Sequence, residues 1–128
     1  MQAIINATQH TATTDQKTQG VVDLPDAQRV LLSRLLTFDD LPTVADMKSR
    51  AEDISKLLCE AALQQGIIRV MIAGAPFFMP TLQSALQSCG FAVLYAFSKR
   101  VSEEVENGGI VTKVNVFKHV GFVEAEGR

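Results

Sequence analysis

Apolar residues in this chain fall into short β-branched runs separated by helical stripes. The opening AIINAT (3–8) reads as a strand and runs into a Thr/Gln-rich polar stretch with no apolar period. VVDLP (21–25) fits a brief strand or a simple apolar anchor. Ala27, Val30, Leu31 and Leu35 then suggest a helix with an apolar stripe, opened by Pro25-Asp26 and broken at FDDLP (38–42). The clearest helix follows. Thr43 caps it, Asp46 stands in its first turn, and Val44, Met47, Ala51, Ile54, Leu58 and Ala61 line one face as far as Gly66. IIRVMIAG (67–74) is a strand buried on both sides, GAPFFMP (74–80) a turn, TLQSALQSCG (81–90) a short helix and FAVLYAFS (91–98) a second buried strand. Strand, helix and strand in this order make a right-handed parallel unit.

The last third changes character. Asn107-Gly108 is a strong hairpin signal. Used as a two-residue turn, it sets Val105 opposite Ile110, Val101 opposite Val114, Tyr95 opposite Val120 and Val93 opposite Phe122. Residues 91–123 are therefore expected to form one long antiparallel hairpin whose first arm is also a parallel strand. The expected fold is α/β, a small Rossmann-like parallel sheet with a C-terminal antiparallel hairpin, in a single domain over 1–128.

A chain of 128 residues, 47% of them hydrophobic, can build one core. Its net charge of −2 disfavours duplex nucleic acid as a partner, though it leaves room for a local cationic pocket. Cys59 and Cys89 form no C-x-x-C pair and fall in helical patterns, so both are expected to be reduced core thiols. With no signal-like segment and no long apolar run, neither secretion nor a membrane span is expected, and the expected location is a reducing cytoplasm. Asn6-Ala7-Thr8 matches a glycosylation acceptor pattern and is read as chance.

His10 and His119 belong to no metal-binding spacing, so no metal is expected. No nucleophile elbow is present either. The chemistry converges elsewhere. Ligands of open parallel sheets bind outside the carboxyl ends of the strands. Three such ends are expected here: Thr8-Gln9-His10, Gly74-Ala75-Pro76-Phe77 and Ser98-Lys99-Arg100. They offer hydroxyl, amide, imidazole, free backbone N–H groups and two cations to an anion. Phe77 and Phe78 fit either a stack for a base or core packing. Ser98-Lys99-Arg100 equally fits a solvated strand end paired to Glu103 and Glu104. As a phosphate site, Arg100 should matter more than Lys99, because only arginine grips bidentately.

The tail YAFSKRVSEEVENGGIVTKVNVFKHVGFVEA resembles that of a small CRISPR-associated ring-nuclease family with a CRISPR-associated Rossmann (CARF-like) fold. The shared pattern is Ser98-Lys99-Arg100, Glu103-Glu104, Asn107-Gly108, and Phe117, His119 and Phe122. The opening IINATQHTATTDQ is similar to that family's start, and similar short chains occur among phage and prophage proteins. The resemblance implies a homodimer that binds a cyclic oligoadenylate across its two-fold axis and cleaves it without metal or cofactor, switching off a defence signal. A ribose 2′-hydroxyl would attack the adjacent phosphate, with His10 as base, Lys99 and Arg100 stabilising charge, and Thr8, Gln9, Gly74, Ala75, Phe77 and Ser98 binding the ligand. The turn Ala73-Gly74-Ala75-Pro76-Phe77 lacks the acidic and hydroxyl pattern of that family. Two alternatives stay open: a phage-type sponge that sequesters a signal nucleotide without cutting it, and a protein-interaction module or inhibitor using the hairpin edge.

Overall fold

The computed structural model describes residues 2–127. Strands β1 (Ile4–Ala7), β2 (Val21–Asp23), β3 (Arg69–Ile72), β4 (Ala92–Asn107) and β5 (Ile110–Glu124) form one sheet in the order β2-β1-β3-β4-β5. The first four strands are mutually parallel, and β5 runs antiparallel to β4. The expected class is thus what the chain folds into, and VVD is a true edge strand.

Helices α2 (Asp26–Leu36), α3 (Val44–Gln65) and α4 (Met79–Ser88) cover one face of the sheet. There Ile5, Val70, Ile72 and Val93 meet Leu36, Ile54, Leu58, Phe78 and Leu82. Among the described residues only the short α1 (Thr14–Thr18) and its flanks lie over the other face, where Ile4, Ala12, Val21, Met71, Leu94 and Phe122 pack. Helix α1 falls in the stretch read as structureless. It holds through a capping box: the Gln16 N–H donates to Thr13 Oγ1 at 3.1 Å and the Thr13 N–H to Gln16 Oε1 at 3.0 Å.

The long helix is built as expected, with Thr43 Oγ1 accepting the Asp46 N–H at 3.0 Å and Gly66 turning left-handed at φ 68°. The stripe expected on α2 has the wrong phase. Leu32 and Leu36 are buried, while Val30 and Leu31 are exposed, because the helix turns its i, i+4 leucines to the sheet. The cysteines divide: Cys59, half-buried, packs against the core, while Cys89 is exposed at the end of α4.

The hairpin exists, but its register differs from the expected one. Gly108 and Gly109, at φ 62° and 84°, form the turn, which leaves Asn107 facing Ile110. Both central residues of such a turn need positive φ, so a Gly-Gly pair outcompetes Asn-Gly at no steric cost. Val105 therefore faces Thr112 and Val101 faces Val116. A β-bulge at Phe97/Ser98, with Val120 the extra residue on β5, shifts the pairing again, so Tyr95 faces Val123 and Ala96 faces Phe122. Beyond this bulge the two strands leave the sheet as a free-standing arm.

Candidate functional site

Strand order places the site. The chain moves from β1 outward to β2 and then returns to the opposite side of β1 to lay down β3. This reversal makes the carboxyl ends of β1 and β3 a topological switch point, where adjacent loops leave a crevice. Thr8-Gln9-His10 leaves β1 there and Ala73-Gly74-Ala75-Pro76-Phe77 leaves β3. Register extends the ledge to β4: Asn6, Met71 and Leu94 are level with one another. Ala7 and Ile72 pair at the last level before both loops leave the sheet.

The β1 loop is fixed from below by a buried polar residue. Asn6, 4% exposed, donates from Nδ2 to Asp23 Oδ1 at 2.8 Å and to His10 O at 2.7 Å. Its Oδ1 accepts from the Thr8 N–H at 3.0 Å and the Thr8 hydroxyl at 2.7 Å. Asp23 Oδ1 also accepts the Ala12 N–H at 3.0 Å. Burial pushes the Asp23 carboxyl up, but the Asn6 amide, the Ala12 N–H and the cations Lys17 and Arg29 together hold it below its ordinary value. Every amide atom of Asn6 is engaged, and burial removes it as a glycosylation acceptor. Asn6 and Asp23 are positioning residues that the sequence reading passed over. The signal was there: each is a lone polar side chain inside an apolar strand run. Gln9 reaches sideways, donating to Thr37 Oγ1 at 2.7 Å and Ser33 O at 3.2 Å. The His10 ring is exposed.

At the end of β3 a cleft of about 740 Å³ opens on the helix-covered side, lined by Ala73, Gly74, Pro76, Met79, Gln83 and Tyr95 among others. A side chain on Gly74 would place its Cβ 3.0 Å from Met79 Cε, so the turn packs tightly on the start of α4. Tyr95 donates its hydroxyl to Gln83 Oε1 at 2.7 Å, and burial pushes its phenol above the usual range. The two phenylalanines divide. Phe78 is fully buried and therefore core, whereas Phe77 is half-exposed and edge-on to Phe38 at 5.2 Å between ring centroids. Phe38 is itself covered by the Arg50 guanidinium at 4.2 Å.

Ser98, Lys99 and Arg100 do not end a strand, because β4 runs on to Asn107. They form the base of the arm, paired with His119, Lys118 and Phe117. The reading that Glu103 and Glu104 neutralise Lys99 and Arg100 is not what forms: Glu103 pairs across the arm with Lys118 at 2.9 Å. Among the described residues Lys99 and Arg100 make no salt bridge. Alternation sends Lys99 to the side of Tyr95 and Phe97, where the cleft lies, and Arg100 to the other face. There the Arg100 guanidinium sits over the Phe117 ring at 5.4 Å. Lys99 is thus the cation on the cleft's side of the sheet, and Arg100 lies on the opposite face.

Of Phe117, His119 and Phe122, the last two fasten the arm to the body and the first packs within it. Phe117 carries Arg100, and Phe122 packs with the Ile4 and Leu94 cluster. His119 Nε2 lies 2.8 Å from Gln19 Oε1, whose amide in turn donates to Val120 O at 3.0 Å. Among the described residues no group of three or more His, Cys, Asp or Glu is placed to hold a metal ion. No helix there is long and apolar enough to cross a membrane.

No curated protein and no solved structure matches the chain. A family model does, over residues 2–123, and by that match the chain belongs to the Uncharacterized protein MJ1673 family.

Proposed function

We propose that this protein binds a phosphate-bearing nucleotide on the ledge at the carboxyl ends of β1 and β3 and beside the root of the arm on β4, with a cyclic oligoadenylate the first ligand to test. The observation that carries the reading is the reversal of strand order between β1 and β3, which puts two exposed loops and a 740 Å³ cleft at the edge where such sheets bind ligands. Pro76, Met79 and Tyr95 offer a surface for the flat part of a nucleotide. The backbone near Gly74 and the ammonium of Lys99 offer donors to its phosphate. Phe77, half-exposed, is an aromatic at the end of β3 able to stack a base. Homodimerisation would present the same patch twice to a ring with internal symmetry.

Cleavage would follow from alignment alone. The His10 imidazole would take the proton of a ribose 2′-hydroxyl as that oxygen attacks the neighbouring phosphorus. The P–O bond to the departing ribose would then break, leaving a 2′,3′-cyclic phosphate and a 5′-oxygen that takes its proton from the His10 imidazolium or from water. Lys99 would stabilise charge on the phosphoryl oxygens, and Arg100 would do so only after leaving Phe117. Sequestration without cutting is the second reading. It is favoured by the turn Ala73-Gly74-Ala75-Pro76-Phe77, which supplies no acidic or hydroxyl side chain beside the cleft. Incubation with cyclic tri-, tetra- and hexa-adenylate, followed by chromatographic separation, distinguishes the readings. Linear products support cleavage. An intact ring that co-elutes with the protein supports the sponge, and free intact rings in every case overturn both.

A further inference from the structure

The arm has two outer edges, and they differ in kind. On β4 the eight residues Arg100–Asn107 include Arg100, Glu103, Glu104 and Glu106. On β5 the eight residues Ile110–Phe117 include a single charge, Lys113, and are otherwise dominated by Ile, Val and Phe. Charged edges resist pairing, whereas long apolar edges invite it. Near the body the β5 edge is closed, since Gln19 occupies Val120 O and His119. From Ile110 to Phe117 no described residue covers it, and Ile110, Val111 and Phe117 are 68%, 60% and 69% exposed.

Hydrogen-bond phase decides which groups face outward. Asn107 and Ile110 flank the two-residue turn and form a bonded pair, and bonded pairs then alternate through Val105–Thr112, Glu103–Val114 and Val101–Val116. The backbone N–H and C=O groups of Val111, Lys113, Asn115 and Phe117 therefore point away from β4.

We infer that this edge is a dimerisation surface, pairing with β5 of a second copy about a two-fold axis at Val114 to make a four-stranded antiparallel arm. In that register all outward groups are satisfied, Val111 bonding the partner's Phe117 and Lys113 the partner's Asn115. Apolar side chains meet across the seam as Val111 with Phe117, Thr112 with Val116, and Val114 with its own copy. Charge selects this direction. A parallel in-register pairing would stack Lys113 on Lys113, which is destabilising, while the antiparallel one sets each lysine opposite a neutral residue. A two-stranded ribbon alone is marginally stable in water, so a second copy also supplies what the arm lacks. The inference rests on the homodimer reading above and names its surface; it needs no ligand.

The test is the mass of the ligand-free full chain by sedimentation at micromolar concentration. The wild type should be a dimer. Asn115→Pro removes an outward N–H without touching the β4–β5 backbone bonds, at the loss of the Ser102 hydroxyl's bond to Asn115 Oδ1, and should make the chain monomeric, whereas Asn115→Ala, which loses that side-chain bond alone, should stay dimeric. Val111→Glu and Phe117→Lys should each weaken the dimer by about tenfold, and an equimolar mixture of the two should recover it, with carboxylate facing ammonium across one half of the seam. A monomeric wild type overturns both this inference and the homodimer reading. A dimer indifferent to Asn115→Pro, Val111→Glu and Phe117→Lys overturns the β5 surface alone, and variants that weaken without recovering on mixing overturn the register.

Discussion

Strand β4 belongs to two different structures. From Ala92 to Tyr95 it lies between β3 and β5 under α4, with Val93 and Leu94 essentially inaccessible to water. From Ser98 to Asn107 it is half of a ribbon that touches the rest of the chain chiefly at its root. The body holds its own shape by burial on both faces of a parallel sheet. The arm is shaped by its turn, its cross-strand pairs and its single anchor at Gln19. The same polypeptide run can therefore be a core strand at one end and an interaction element at the other, with a β-bulge marking the change. The proposed ligand ledge lies at the junction.

The contrast is broken most forcefully by cutting into the body. Phe78→Ala should cost about 3–5 kcal/mol, because a fully buried aromatic leaves a cavity. A surface substitution such as Val105→Thr on the arm should stay within about 0.5 kcal/mol. Urea denaturation measures both. Equal effects would mean that the arm is part of the cooperative core.

Which of these regions was legible in the sequence follows the same divide. Continuous apolar runs such as Ile67–Gly74 and Phe91–Ser98, and the capped stripe of α3, were readable because burial on a regular element leaves a period. The edge strand β2 was ambiguous because its three residues are too few to show one. Helix α1 was missed because its capping box is followed by no apolar stripe and it buries no side chain. The arm's register failed because two adjacent dipeptides, Asn107-Gly108 and Gly108-Gly109, both suit a tight turn, and the bulge has no marker in composition. At the site, the loops after β1 and β3 were placed correctly at the sheet edge. Which of Lys99 and Arg100 shares the cleft's side was not legible, since strand alternation separates the two but does not say which face of the sheet the helices cover.

A smaller effect should appear at the polar support of the β1 loop. Asp23→Ala leaves an Asn6 amide hydrogen and the Ala12 N–H without their acceptor and should cost about 1–3 kcal/mol. The pH dependence has a definite sign. The Asp23 pKa is depressed in the folded state, so its contribution is fully present above the ordinary value of 3.8 and is lost as pH falls through the lower folded value. Thermal melts of wild type and Asp23→Ala should therefore converge as pH drops below about 4. A gap that widens there would refute the hydrogen-bonded carboxylate.

One further stability effect is confined to the arm. Gly108→Ala places a Cβ at φ 62° and should cost roughly 1–2 kcal/mol of local stability. Amide exchange by NMR should speed up along Ser98–His119 and leave β1 and β3 unchanged. Faster exchange throughout the sheet would erase the distinction between arm and body.

The central claim is that the ledge beside the cleft, with Lys99 as its cation, holds a nucleotide phosphate. The direct measurement is calorimetric titration of wild type, Lys99→Ala and Arg100→Ala with cyclic tri-, tetra- and hexa-adenylate. At least one ring should bind the wild type. Lys99→Ala should weaken that binding by about ten- to hundredfold, the loss of one charge-assisted contact, while Arg100→Ala should change it by less than about threefold. Absence of heat with all three rings, or a greater loss from Arg100→Ala than from Lys99→Ala, would contradict the account.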